Sequence, residues 1–144
     1  MKDIVLKIVG KQTFNGEAEE ENIEFLTEGR CGCKGEATYL IYEESELSGM
    51  AGCTTSIKVT GERVEMRRYG HSYVSGTEIE FEKGKRFKGY YDTPYGAVEM
   101  EVLTDELDNC LSPDLDRGVL HIAYQFSLKG LGEGRNCLDV EIVQ

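Results

Sequence analysis

Tryptophan is absent from this chain, and its 144 residues include only two prolines and two histidines. Apolar runs never exceed a few residues, which excludes a membrane-spanning helix, since that needs about 20 apolar residues in succession. No stretch of about 12 residues carries an apolar stripe at i, i+3, i+4 and i+7, so amphipathic helices are not expected. Basic residues are scarce: 16 Lys and Arg stand against 27 Asp and Glu, and the net charge of −11 repels phosphate backbones and anionic lipid surfaces. Neither nucleic acid nor a membrane is therefore expected as a partner. The opening MKDIVLKIVG has no apolar signal core and no small-residue cleavage site. Five cysteines without a secretory signal make an odd count that points to reduced thiols and a cytoplasmic protein. G-x-S-x-G, H-E-x-x-H and C-x-x-C are all missing, and His71 and His121 lie far apart, so the reading leans away from an enzyme.

What recurs from end to end is period-2 alternation between turn residues. It predicts strands over Ile4 to Thr13, Asn22 to Cys33, Glu36 to Glu44, Cys53 to Thr60, Arg63 to Tyr69, Thr77 to Glu82, Arg86 to Thr93, Ala97 to Leu107, Val119 to Leu128 and Asn136 to Val143. The inward rows are plain in several of them: Ile79 and Phe81; Val98, Met100 and Val102; Leu120, Ile122, Tyr124, Phe126 and Leu128; Leu138, Val140 and Ile142. Connections are short and rich in turn residues, as in Lys34-Gly35, Lys83-Gly84-Lys85 and Thr93-Pro94-Tyr95-Gly96, the last suited to a type I turn. Consecutive antiparallel hairpins close most economically as an up-and-down barrel, which leaves few edges exposed. The expected fold is all-β, one barrel of about 8–10 strands spanning residues 1–144 as a single domain, with a two-sheet sandwich as the alternative. There is no internal repeat and no linker.

One hairpin can be read to the residue. In TTSIKVTGERVEMRRY, Thr54 to Tyr69, Gly61 stands first in the pair Gly61-Glu62, where a type II′ turn needs positive φ. Val59 then faces Val64 and Ile57 faces Met66 on an apolar side, with Lys58 opposite Glu65 on the other. One step further, Thr55 lies opposite Arg68 on the apolar side, so a permanently charged guanidinium points toward the core.

With the strands in place, the order of short motifs resembles the YwiB-like family, small bacterial proteins that carry a domain of unknown function. The motifs are IEF at Ile23 to Phe25, YLIYEE at Tyr39 to Glu44, the run through Thr55, Ile57 and Lys58, Arg68 to Gly70, YDTPYG at Tyr91 to Gly96, and IAYQF at Ile122 to Phe126. The resemblance covers nearly the whole chain. It implies a lipocalin-like (calycin) barrel and carries over no reaction, ligand or catalytic residue.

Arg68 is the sharpest candidate for a site, since an inward guanidinium near a barrel mouth can clamp a carboxylate or phosphate. The competing reading is an internal ion pair with Glu43, Glu44 or Asp92. Around Arg68 the candidate ligand-binding residues are Thr55, Tyr91, Tyr124 and Glu43. Their expected ligand is a small amphipathic or anionic molecule, with its apolar body among Met66, Phe81, Tyr124 and Phe126. Arg67 is expected outside, as a solvated charge. Cys31-Gly32-Cys33 has the wrong spacing for structural zinc and lacks a second pair, so no metal or other cofactor is expected. Gly130 to Gly134 is expected to be a hairpin loop, because no helix follows to make it a phosphate cradle. The acidic stretch Asp105, Glu106, Asp108, Asp114 and Asp116 does not have calcium-loop spacing and is expected to be a solvated loop. A barrel with a filled core, acting structurally or in protein interaction, is the alternative to a ligand carrier, and oligomeric state is left open.

Overall fold

The computed structural model describes residues 1–16, 20–44, 52–70, 77–93 and 96–144, apart from the side chains of 77, 92 and 93. His71, Pro94 and Tyr95, with the turn expected there, lie outside the described residues, as does the Asp92 side chain. Ten strands are formed: β1 (Lys2–Phe14), β2 (Glu21–Lys34), β3 (Ala37–Glu43), β4 (Thr54–Thr60), β5 (Arg63–Tyr69), β6 (Thr77–Glu82), β7 (Arg86–Thr93), β8 (Gly96–Leu111), β9 (Gly118–Leu128) and β10 (Gly132–Ile142). No helix is present among the described residues, and none is long and apolar enough to cross a membrane.

Each strand pairs antiparallel with its neighbour in sequence, except β6 with β7, and the meander is closed by β1 pairing with β10 through Leu6 opposite Ile142. The sheet therefore runs β6-β5-β4-β3-β2-β1-β10-β9-β8-β7, a barrel with one seam. At that seam β6 and β7 lie side by side without a ladder among the described residues. A Cβ on Gly89 would sit 3.6 Å from the Glu78 carbonyl oxygen. The edges at the seam carry Glu78, Glu80 and Glu82 on one strand and Arg86 and Lys88 on the other, charges that discourage pairing with another chain.

The predicted bounds of β5, β6 and β7 coincide with those observed. The β4–β5 register also matches, with Val59 opposite Val64, Ile57 opposite Met66 and Thr55 opposite Arg68. Gly61 has φ +60° while Glu62 keeps negative φ, the combination expected of a type II′ turn. Of the inward rows named above, all but the half-buried Val98 belong to the core or pack against it, and Phe81, Leu120, Ile122, Val102 and Val140 are fully buried. Arg67 points outward and pairs with Glu78 at 3.5 Å.

Two elements differ from expectation. Asp105, Glu106 and Asp108 are not in a loop: β8 continues to Leu111, with an irregularity in register between Thr104 and Glu106. That bulge moves the inward positions from Met100, Val102 and Thr104 to Leu107 and Leu111, so simple alternation breaks down there. β10 begins at Gly132 rather than Asn136, and the hairpin loop is correspondingly shorter. Gly134 permits this, because a Cβ there would collide with the Thr13 carbonyl oxygen on the paired strand β1.

One end of the barrel, where the even-numbered strands finish, is plugged. In the turn before β9, Ser112 Oγ accepts from the Asp116 and Arg117 amides at 3.1 and 3.2 Å. This holds Leu115 at φ +57°, with its side chain in the core. Lys2 fastens the plug through Asp116 and, at 3.0 Å, the Asp114 carbonyl. All five thiols are unpaired: Cys31 is buried in the core, while Cys33, on the same face two residues on, is exposed at the strand end.

Candidate ligand-binding site

The opposite end, where β1, β3, β5, β7 and β9 finish, gathers the polar interior. Cross-strand pairing aligns Tyr42 on β3, Thr55 on β4 and Arg68 on β5 in one row. Glu44, just past the end of β3, is in step with Leu40 and Tyr42 and so also faces inward. Its amide continues the ladder by donating to the Cys53 carbonyl at 2.9 Å.

Four groups make a compact network. The Thr55 hydroxyl donates to Glu44 Oε1 at 2.6 Å, and Arg68 Nε donates to Thr55 Oγ1 at 3.3 Å. Arg68 Nη2 stands 3.6 Å from Glu44 Oε1, an ion pair longer than a hydrogen bond. The Tyr42 phenol lies within electrostatic reach of Glu44 and Arg68. Arg68 remains a cation: burial is the strongest influence and opposes its charge, but Glu44 together with Tyr42, Tyr91 and Tyr124 outweighs it and raises its pKa. Burial, with Glu44 second, pushes the Tyr42 phenol well above its usual range, so it stays protonated.

Beside this network lies an interior cavity of about 390 Å³. Tyr42, Glu44, Arg68, Tyr91, Tyr124 and Asn136 supply its polar wall, and Ile8, Phe25, Met66, Ile79, Met100 and Leu138 most of its apolar lining. Glu21, which is exposed, also lines it. Across the cavity from Arg68, Asn136 Nδ2 donates to the Tyr124 hydroxyl at 2.8 Å, and the Tyr124 ring rests on Phe81 with centroids 4.8 Å apart.

Of the residues singled out from sequence, Arg68, Tyr91 and Tyr124 line the cavity, and Thr55 is buried behind Arg68 as its hydrogen-bond partner. Met66 and Phe126 line it too, whereas Phe81 packs behind Tyr124. Glu43 is not brought to the site. It alternates outward, is exposed, and meets the Thr27 hydroxyl only through its backbone carbonyl at 3.0 Å. Its neighbour Glu44 takes the inward position instead. Asn136 and Gln12 are cavity residues that the sequence reading passed over. The signal existed, since Asn136 is in step with Leu138, Val140 and Ile142, and Gln12 with Leu6 and Ile8.

His121 lies on the outer face, with Nδ1 at 2.6 Å from Asp139 and Nε2 at 3.0 Å from Glu106. It contributes nothing to the interior.

Comparison with known proteins bears on the fold. The crystal structure of the YwiB protein from Bacillus subtilis matches with a TM-score of 0.74, over 100% of this chain and 95% of that one, at 21% identity. That likeness shows the barrel. Comparison with curated proteins gives no match. Residues 6–140 match the family described as domain of unknown function DUF1934. The resemblance read from the ordered motifs and the family match thus agree over nearly the whole length, and the chain belongs to the DUF1934 family.

Proposed function

We propose that the protein is a cytoplasmic, lipocalin-like carrier of a small amphipathic anion, held with its apolar body in the interior cavity and its charged head on Arg68. The observation that carries this reading is the state of Arg68 at the cavity wall. Among the described residues its carboxylate partner is Glu44, 3.6 Å away on one nitrogen, so the guanidinium fork is not closed on Glu44. Glu44 meanwhile takes a hydrogen bond from the Thr55 hydroxyl, a neutral donor that continues to hold it when Arg68 engages a ligand. A cavity of about 390 Å³ falls within the range of small-ligand sites, about 300–1,000 Å³. The mixture of apolar lining and a few converging polar groups is also typical of such sites. The five unpaired thiols suit a reducing compartment.

The test is fluorescence titration with 1-anilinonaphthalene-8-sulfonate, whose apolar rings and anionic head match this description, together with native mass spectrometry of the purified protein. Saturable binding that Arg68→Met weakens about tenfold or more, with the fold intact, is the expected result. Absence of binding, or equal binding by the variant, would favour the structural barrel and overturn the carrier reading.

A further inference from the structure

Resting on the carrier reading, the geometry points to Tyr124 as a second head-group donor, held in that role by Asn136. The bound head is then an oxyanion with at least two acceptor oxygens, gripped from opposite walls by Arg68 and Tyr124. Asn136 and Tyr124 are direct cross-strand partners on β10 and β9, and both line the cavity. Because Asn136 Nδ2 donates to the Tyr124 oxygen, that oxygen serves as acceptor and the single phenolic hydrogen is left to donate elsewhere. Among the described residues, no other group takes that hydrogen.

The ring itself is fixed. Phe81 lies tilted against it with centroids at 4.8 Å, and Phe126 at 6.3 Å on the same strand. Burial raises the phenol pKa, so the group is a neutral donor rather than a phenolate that would repel the ligand. Arg68 is close enough to act on Tyr124 electrostatically, which places both donors within the field of one head group. An acid with a single acceptor engaged, or an apolar molecule of the same size, gains nothing from the second wall. The pair Tyr124 and Asn136 therefore sets specificity, with Asn136 as a positioning residue.

The experiment compares two probes of nearly the same shape, the anionic 1-anilinonaphthalene-8-sulfonate and the neutral N-phenyl-1-naphthylamine, on the wild type and on Arg68→Met, Tyr124→Phe and Asn136→Leu. Circular dichroism and a melting curve for each variant report whether it folds. Tyr124→Phe and Asn136→Leu are expected to weaken the sulfonate about five- to tenfold while leaving the neutral probe within about twofold of wild type. Should Arg68→Met lose the preference for the anion while both other variants keep it, the second donor is overturned and the carrier reading survives. Should neither probe bind the wild type, the carrier reading itself falls. Tyr124→Phe removes one oxygen from a packed ring, so it keeps the question answerable even if Asn136→Leu fails to fold.

Discussion

Glu44 Oε1 stands 2.6 Å from the Thr55 hydroxyl but 3.6 Å from Arg68 Nη2, so the buried carboxylate is hydrogen-bonded by its neutral neighbour and only paired with the cation. This asymmetry separates the stability of the site from its capacity to bind. Removing one partner of a fully buried pair costs about 3–5 kcal/mol, largely from the charge left behind. Here the Thr55 hydroxyl holds that charge, and the Arg68 side chain is 19% exposed.

Arg68→Met is accordingly expected to cost only about 1–2 kcal/mol in urea unfolding, below the range for an orphaned buried charge. The double variant Arg68→Met with Glu44→Gln should recover more than half of that loss. A single variant that does not fold, or a double variant no better than the single, would show that the pair is the keystone of this end of the barrel.

Glu44→Gln by itself keeps the Arg68 cation and removes its resident counter-charge. The affinity for 1-anilinonaphthalene-8-sulfonate should rise about threefold or more, read by the same titration, because a ligand oxyanion no longer competes with a carboxylate. A drop in affinity would mean that Glu44 orients Arg68 rather than competing for it.

Gly10 lines the cavity, and a Cβ built there meets no atom within 4 Å. Gly10→Leu should therefore fill the cavity from the middle of β1 without a clash and raise stability by roughly 0.5–1 kcal/mol through the loss of strand glycine alone. Both naphthyl probes should lose binding. Retained binding with a stable fold would place the probes outside the interior.

Gly134 is the opposite case, since its missing Cβ makes room for the Thr13 carbonyl and a Cβ would also lie 3.0 Å from the Phe126 ring. Gly134→Ala forces β10 away from β1 and is expected to cost about 2–3 kcal/mol in thermal or urea unfolding. A neutral outcome would contradict the close approach of the two paired strands at this point.

On the outer face, the Glu106 hydrogen bond does most to raise the His121 pKa; partial burial opposes it, and Asp139 adds to the rise. A folded pKa above the unfolded one gives stability that is fully present below the unfolded value near 6.5 and is lost as pH rises through the folded value. The wild type should therefore lead His121→Asn by more at pH 5.5 than at pH 9. The difference is expected to be about 0.5–1 kcal/mol, the scale of a half-exposed ion pair. An equal difference at both pH values would show that the contacts carry no net charge interaction.

Alternation and turn chemistry are local properties of the chain, and so they yielded the strands, the β4–β5 register and the inward course of Arg68 without any tertiary information. Glu43 and Glu44 show the limit of that local rule. Adjacent residues on a strand end face opposite ways, and which of them reaches Arg68 depends on a phase that Leu40 and Tyr42 carry but that a search for charge alone overlooks. The acidic run after Thr104 misled for a related reason, because a bulge shifts the phase in mid-strand and leaves three carboxylates on a strand that composition describes as a loop.

By itself, then, the sequence determined an acidic all-β barrel with a buried arginine, since period-2 patterning and glycine-led turns act between near neighbours. Only the tertiary structure decided that β1 pairs with β10, that the seam lies between β6 and β7, and that Arg68, Glu44 and Tyr124 surround one cavity. Those relations join residues dozens of positions apart, and they follow from how the curved sheet closes rather than from any local preference of the chain.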